Sequence, residues 1–150
     1  MKDIISKSKA GVLDLPPAEI ADRICDRPGI KASLLVADDD PKTGKQFLAI
    51  LDRAEYDGVV AGNGQEAIDQ FLKSSFDIVF TALKMPGMDG LTVSLQVKAA
   101  SVNTPVVLML DYNLENIMSR IKAGRIDCVM LKPFRFGAVQ KTVHYFATNH

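Results

Sequence analysis

Charged side chains follow two apolar runs of this sequence at places where they could form one site. Asp38–Asp40 come directly after one run, and Lys132 follows another and precedes Pro133. Adjacent carboxylates repel one another, so they persist where water, a cation or a metal ion neutralises them. Carboxylate oxygens suit Mg²⁺, and a nearby lysine is a point charge for an anion such as phosphate. The bland alternatives are a solvated acidic loop and a surface lysine.

Short apolar runs alternate with segments of helical spacing from Ile30 onward, which predicts five strands and five helices. The strands are expected at 34–37, 58–61, 77–81, 106–110 and 126–131. Runs that are apolar on both faces indicate parallel strands between two helix layers. The fold class is therefore α/β, with a doubly wound five-stranded parallel sheet. Ligands of such folds bind beyond the carboxyl ends of the strands, where Asp38–Asp40, Ala82–Met85, Asp111 and Lys132 are expected.

Residues 1–30 differ from the remainder and are interpreted as an N-terminal extension to a domain over 31–150. Met1–Gly11 has little periodicity and is expected to be a mobile arm. Asp14 and the two following prolines could begin a short helix, which Pro28 and Gly29 would end. A helix of about three turns is unstable alone, so it must dock. It could pack on its own domain or bind a partner.

Composition excludes several function classes. Eighteen basic residues balance eighteen acidic ones, so no bulk field draws the chain to nucleic acid or anionic lipid. Cys25 and Cys128 are too few for a metal finger and are expected to be free thiols. The start lacks a secretory pattern, and the longest apolar run, Val106–Leu110, is too short to span a bilayer. We expect a cytoplasmic protein that binds no nucleic acid and no membrane within this chain.

Four motifs occur in the order and separation of a known family. They are LVADDDP at 35–41, GNGQEA at 62–67, KMPGMDG at 84–90 and LKPF at 131–134. Over about residues 31–148 the sequence resembles the receiver domain of two-component response regulators, the CheY-like family. The resemblance implies a flavodoxin-like sheet of strand order 2-1-3-4-5 and a signalling module that is not an enzyme. It also implies that Asp38 and Asp39 are the acidic pair that holds Mg²⁺.

The resemblance implies phosphorylation of an Asp at the end of the third strand, and here the sequence departs from the family. That position is Ala82, whose methyl group has no lone pair to attack phosphorus. The position of the switch hydroxyl is Leu110, and that of the switch aromatic is Val129. Lys132, which contacts the phosphoryl oxygens in the family, is intact. The chain therefore resembles a natural pseudo-receiver; alternatively, Ala82 was substituted for the acceptor of a phosphoaccepting receiver.

Loss of a carboxylate at position 82 should weaken any Mg²⁺ site at Asp38 and Asp39. We expect that Lys84 or Lys132 replaces the metal, or else that Lys84 points to solvent. No cofactor is expected. Asp111 is the one plausible substitute acceptor, because Thr81 should face the packing. His144 is expected to be a surface or packing residue.

The leading interpretation is a module that acts by protein–protein interaction with a histidine kinase or a downstream signalling protein. The resemblance implies docking on the fourth helix, fifth strand and fifth helix, including Arg120, Lys122, Arg125 and Val129. The same face could serve a homodimer. We expect no effector domain within these 150 residues, so direct transcriptional control is not expected of this chain. The rivals are a phosphorelay receiver that uses Asp111, a flavodoxin-like cofactor binder, and a lock formed by residues 1–30 over the pocket.

Overall fold

A computed structural model of the protein describes residues 4–5, 31–111 and 118–148, and these form one sheet covered by helices. The strands are β1 (Ile4–Ile5), β2 (Ser33–Ala37), β3 (Asp57–Ala61), β4 (Ile78–Ala82), β5 (Val106–Leu110) and β6 (Cys128–Leu131). The helices are α1 (Pro41–Ala54), α2 (Gly64–Lys73), α3 (Gly90–Ala100), α4 (Met118–Ala123) and α5 (Phe136–Thr148). The predicted helix over 14–27 lies outside the described residues.

The sheet has the strand order β1-β6-β5-β4-β2-β3. Strands β2 to β6 are parallel, which confirms the predicted doubly wound five-stranded sheet. Helices α2, α3 and α4 pack on one face of the sheet, and α1 and α5 pack on the other. Strands β4, β5 and β6 are buried along their whole length, as expected for a parallel sheet between two helix layers. The carboxyl ends of β2, β4, β5 and β6 therefore meet at one edge.

Side-chain caps fix where the first three helices begin. Asp40, Asn63 and Asp89 each accept a backbone N–H from two or three residues further along. Such caps satisfy donors that a helix start leaves unpaired. Pro41 occupies the first position of α1, where its missing N–H costs nothing. The acidic run after β2 thus serves partly as a helix start, which holds α1 directly above the strand end.

The structure corrects the expectation of a mobile arm at two residues. Ile4 and Ile5 form β1, which pairs antiparallel with β6, Ile4 opposite Met130 and Ile5 opposite Val129. Two β-branched residues carry no periodicity that sequence inspection can detect, but they fit an extended strand beside a free sheet edge. The sheet therefore has six strands, one more than the sequence predicted.

An ion pair links the C-terminal end of α3 to the N-terminal ends of β5 and β6. Lys98 Nζ lies 2.6 Å from Asp127 Oδ2 and donates to the carbonyl of Thr104 at 2.8 Å. The same Asp127 oxygen accepts the Val106 N–H at 2.7 Å. These contacts satisfy the charge of Lys98, whose side chain is 5% exposed. No helix among the residues that the structure describes is both long and apolar enough to cross a membrane.

Candidate functional site

An ion pair between Asp38 and Lys132 occupies the carboxyl edge of the sheet. Asp38 directly follows β2 and Lys132 directly follows β6, and Lys132 Nζ lies 2.6 Å from Asp38 Oδ2. Asp38 Oδ1 accepts the backbone N–H of Asp40 at 2.9 Å. The Asp38 side chain is 2% exposed and that of Lys132 is 16% exposed. The carboxylate is therefore nearly removed from water, and the ammonium group neutralises it directly.

The backbone orients Lys132 toward this pair. The Lys132 N–H donates to the Leu110 carbonyl at 2.7 Å, which continues the ladder between β5 and β6. The peptide bond between Lys132 and Pro133 is cis. Gln46, on α1, donates its side-chain N–H to the Phe134 carbonyl at 2.9 Å. The segment that carries the lysine is thus fastened to β5 on one side and to α1 on the other.

Ala82 is the last residue of β4, next to this pair, and its side chain is only a methyl group. Ala82 is 5% exposed, and the start of α3 packs directly on it. A Cβ on Gly90 would collide with the Ala82 carbonyl oxygen, and the Gly90 N–H donates to the Leu83 carbonyl at 2.8 Å. Glycine is therefore required for this close approach. The arrangement supplies no nucleophilic atom at the end of β4.

Apolar side chains fill the neighbouring strand ends. Leu110 and Val129 are 4% and 1% exposed and belong to the same buried cluster as Ala82. Leu91 and Ile121, from α3 and α4, pack in that cluster too. The region that lies between β4, β5 and α4 is consequently a packed core, and neither Leu110 nor Val129 can donate a hydrogen bond to an anion.

The residues at this edge do not fit the Mg²⁺ site that a receiver fold implies. One Asp38 oxygen is taken by Lys132 and the other by a backbone N–H. Asp39 is exposed, and Ala82 has no oxygen in its side chain. Within 4–5, 31–111 and 118–148 no group of three or more His, Cys, Asp or Glu residues could hold a metal ion. Mg²⁺ prefers six oxygen ligands, and the Asp38 carboxylate that it would bind is already neutralised by Lys132.

The other residues predicted for the site are placed at its border. Lys84 is exposed, and no ion pair or hydrogen bond involves its side chain among the described residues. Asp111 has a side chain 75% exposed, with Oδ1 4.0 Å from Lys132 Nζ. Thr81 is fully buried and donates to the Ala82 carbonyl, as its predicted packing role requires. His144 is buried and lies edge-on to the Tyr56 ring.

The docking face expected from the resemblance needs one correction. Arg120, Lys122 and Arg125 are exposed, and Arg120 lies 3.4 Å from Asp89 at the start of α3. Val129, however, is 1% exposed and its backbone faces Ile5 of β1. Its side chain therefore cannot contact a partner on this face, because the sheet edge is paired and both faces of β6 are covered by helices.

Three structural features escaped the sequence-based prediction. Asp40 caps α1, which an Asp directly before a proline should have suggested. The Lys98–Asp127 pair is formed between residues far apart in the chain, so no local signal predicts it. Cys128 is buried, and this burial, together with the negative charge of Asp127, raises the pKa of its thiol to about 12. The thiol is consequently inert at neutral pH.

Known proteins are similar to this chain in sequence and in fold. Residues 34–144 match the family model of the response regulator receiver domain. The transcriptional regulatory protein ZraR of Escherichia coli is 31% identical over 111 residues, which are 73% of this chain and 25% of ZraR. The transcriptional regulatory protein ResD of Bacillus subtilis is 31% identical over 105 residues, 69% of this chain and 43% of ResD.

A similar solved structure is the chemotaxis protein CheY4 of Vibrio cholerae. It has a TM-score of 0.71 and 25% sequence identity, and the match covers 75% of this chain and 96% of CheY4. The chain thus spans about a quarter of the length of ZraR and less than half of ResD, while it covers nearly all of the CheY4 chain.

Proposed function

The chain belongs to the response regulator receiver domain family of two-component systems, and from this membership we propose that it is a pseudo-receiver that signals by protein–protein contact without accepting a phosphoryl group. The observation that carries the proposal is the pairing of Lys132 with Asp38 beside Ala82. The lysine that would contact a phosphoryl group is engaged with a residue of the acidic pair, and the acceptor position holds a methyl group.

Phosphoryl transfer to a receiver needs an oxygen nucleophile. A carboxylate oxygen attacks phosphorus, the bond from phosphorus to the donor atom (a histidine nitrogen of a kinase or the acyl oxygen of acetyl phosphate) breaks, and its electron pair leaves with the donor. Ala82 supplies no such oxygen. Leu110, at the end of β5, supplies no hydroxyl to stabilise the charge of the phosphoryl oxygens. Acceptor and stabiliser are therefore missing from the same pocket.

On this proposal the pocket also works without a metal. The ammonium group of Lys132 neutralises the Asp38 carboxylate, as Mg²⁺ neutralises an acidic pair. The same contact links the end of β2 to the end of β6. The receiver then has one pocket conformation. Its partner, a histidine kinase or a downstream protein, would recognise that conformation through an exposed surface, and Arg120 and Lys122 on α4 with Arg125 just after it supply basic side chains for that surface.

The test is the mass of the intact protein after incubation with acetyl phosphate and millimolar Mg²⁺. We expect no phosphoryl adduct on the natural chain, and a gain of about 80 Da on the Ala82→Asp variant, which proves that the donor is active. An adduct on the natural chain that disappears in Asp111→Asn would overturn the proposal and establish Asp111 as the acceptor of a phosphorelay receiver.

A further inference from the structure

The edge of the sheet opposite β1 is strand β3, Asp57–Ala61. Within the described ranges no other strand pairs with its outer side. The strand has no proline, and its one charged residue is Asp57 at the start. Just beyond its end, the Gly62 N–H donates to Glu66 Oε1 at 2.6 Å, so that donor is taken. Edge strands with unpaired backbone groups pair with other chains unless charge, proline or a bulge prevents it.

Two residues of β3 direct their backbone groups away from the sheet. The first residue of the strand donates its N–H to the Ala32 carbonyl at 3.0 Å, and the carbonyl of the last accepts the Asp38 N–H at 3.1 Å. Because the backbone groups of successive strand residues point to alternate sides, the first, third and fifth residues face β2. The second and fourth, Gly58 and Val60, therefore present two N–H and two C=O groups to the open edge.

Helix α1 lies along this edge and places an exposed leucine beside it. A Cβ on Gly44 would lie 3.4 Å from Val60 Cγ1. Leu51 Cδ2 lies 2.9 Å from the position of a Cβ on Gly58. Leu48 is four residues after Gly44 and three before Leu51, so it shares their face of the helix. Since Leu48 is 56% exposed, an apolar side chain is available beside the edge, level with the middle of β3.

Opposite charges flank Leu48 along the same helix. Lys45 and Asp52 are exposed, three residues before it and four after it. Within 4–5, 31–111 and 118–148 neither side chain takes part in an ion pair. An antiparallel second copy of α1 would place each lysine beside the aspartate of the other copy. The chain has no net charge, so no long-range repulsion opposes the approach of two copies.

The edge is complementary to itself about a two-fold axis through Val59. In an antiparallel pair of β3 strands, Gly58 of each copy lies opposite Val60 of the other, and the outward groups form four main-chain hydrogen bonds. Helix α1 packs on both β2 and β3, so its axis lies one strand spacing, about 5 Å, from the two-fold axis. The two copies of α1 are then about 10 Å apart, which is the distance at which helices pack, and Leu48 meets its counterpart.

We propose that β3 and α1 form a homodimer interface in which the two β3 strands pair antiparallel and join both sheets into one. Such an interface is isologous. Val59 pairs with its counterpart on one face of the joined sheet and Leu48 with its counterpart on the other, while two Lys45–Asp52 ion pairs set the register. A strand of another protein could make the same hydrogen bonds, but the order of charges along α1 is self-complementary and favours a second copy.

This interface goes beyond the proposed function, because it uses no residue of the pocket around Ala82. It also differs from the α4 face on which the resemblance placed a homodimer. A phosphoryl adduct on the natural chain would overturn the proposed function and leave the dimer intact, whereas a monomeric chain would remove the dimer alone.

Sedimentation velocity of the full chain tests the interface. We expect a monomer–dimer equilibrium between about 5 and 500 µM protein, the range in which small interfaces associate. Leu48→Lys brings two ammonium groups together at the axis and should raise the dimer dissociation constant about tenfold or more. Leu95→Lys changes a leucine of α3 that is 44% exposed, and as the matched control it should leave the dissociation constant unchanged.

Charge reversal tests the register of the two helices. Lys45→Asp and Asp52→Lys each place like charges across the axis, so each variant alone should dimerise about tenfold more weakly than the natural chain. Mixed together, the two variants should form a heterodimer about as tight as the natural dimer, because both ion pairs return with their signs exchanged. A variant that had merely lost its fold would not show this rescue.

Amide hydrogen exchange then locates the contact on the sheet. The Gly58 and Val60 N–H groups should exchange at least about tenfold more slowly at the highest protein concentration than at the lowest. In Leu48→Lys the exchange of both groups should stay fast at every concentration.

Three results would overturn the inference. The first is a chain that stays monomeric throughout; protection of Gly58 and Val60 by the extended peptide Thr-Val-Thr-Val-Thr-Val would then assign the edge to a strand of another protein. The second is a dimer that Lys122→Asp disrupts and Leu48→Lys does not, because the interface would then lie on α4. The third is a mixture of the two charge variants that stays monomeric where the natural chain is dimeric.

Discussion

Replacing Lys132 by methionine should leave the buried Asp38 carboxylate without its counter-charge. Methionine keeps most of the aliphatic volume of lysine and removes the ammonium group. The remaining partner of the carboxylate is the Asp40 N–H at 2.9 Å. We therefore expect Lys132→Met to destabilise the protein while leaving the surrounding packing in place.

The size of the loss follows from how deeply the two groups are buried. Removing one partner of a fully buried ion pair costs about 3–5 kcal/mol. Asp38 meets that condition, with a side chain 2% exposed, but the Lys132 side chain is 16% exposed, so the pair is partly screened. We expect a loss of about 2–4 kcal/mol in the free energy of unfolding. For a chain of this length that is a fall of about 5–12 °C in melting temperature.

Thermal unfolding with and without Mg²⁺ then separates the roles of lysine and metal. In the natural chain the ammonium group already neutralises Asp38, so millimolar Mg²⁺ should leave the melting temperature unchanged. In Lys132→Met the carboxylate of Asp38 becomes available to the ion, in addition to the exposed carboxylate of Asp39. At a Mg²⁺ concentration about ten times its dissociation constant, the variant should regain about 1.4 kcal/mol.

Two controls complete the experiment. Lys84→Met removes an exposed ammonium group and should change stability by less than about 0.5 kcal/mol. The double variant Asp38→Asn/Lys132→Met should lose less stability than the sum of the losses in the two single variants. The reason is that the double variant lacks both charged groups, so no unpaired charge remains at the site. If Lys132→Met is no more harmful than Lys84→Met, or if Mg²⁺ stabilises the natural chain as much as the variant, then Lys132 does not replace the metal.

Three further outcomes can be measured. Lys98→Met should cost about 1–2 kcal/mol in chemical denaturation, because it leaves Asp127 without its cation, but that carboxylate is 33% exposed and keeps the Val106 N–H as a partner. Cys128 should resist alkylation in the native protein at pH 8, since a pKa raised to about 12 from 9.0 lowers its thiolate fraction about a thousandfold. The free energy of unfolding should fall as the pH rises from 9.0 to about 12, because in that range only the thiol of the unfolded chain ionises. Gly90→Ala should cost more than about 2 kcal/mol in melting experiments, because its Cβ meets the Ala82 carbonyl oxygen.

The strands and most helices were predictable because their signals are local. Apolar runs marked β2 to β6, and Pro41 marked the start of α1. Helix α3 shows the limit of this approach. The spacing of Leu91 and Leu95 favours a buried face that holds both, yet Leu95 is 44% exposed while Val93 and Val97 are fully buried. Polar Ser94 and Lys98 are buried as well, so the pattern of apolar residues does not select the buried face.

The sequence predicts which strand ends meet at the site, but it does not predict which side chains contact one another there. The parallel fold places Asp38 and Lys132 at one edge, which follows from the sequence pattern. That Lys132 and not Lys84 contacts Asp38 depends on the direction of the loop after β4, which the close packing of Gly90 on Ala82 sets. The pairing of Ile4–Ile5 with β6 is likewise a long-range contact without a local signature.

If the chain is a pseudo-receiver, as proposed, then the apolar residues at the switch positions follow physically from the alanine at position 82. Ala82, Leu110 and Val129 lie in one buried cluster, so a hydroxyl at position 110 would have to find its hydrogen-bond partner inside it. In a phosphorylated receiver the phosphoryl oxygens are that partner. Without a phosphoryl group the hydroxyl has no anion to stabilise, whereas leucine gains from burial there. With alanine at position 82, packing therefore favours the apolar residues found at 110 and 129, and on the proposed function the three departures express one change in chemistry.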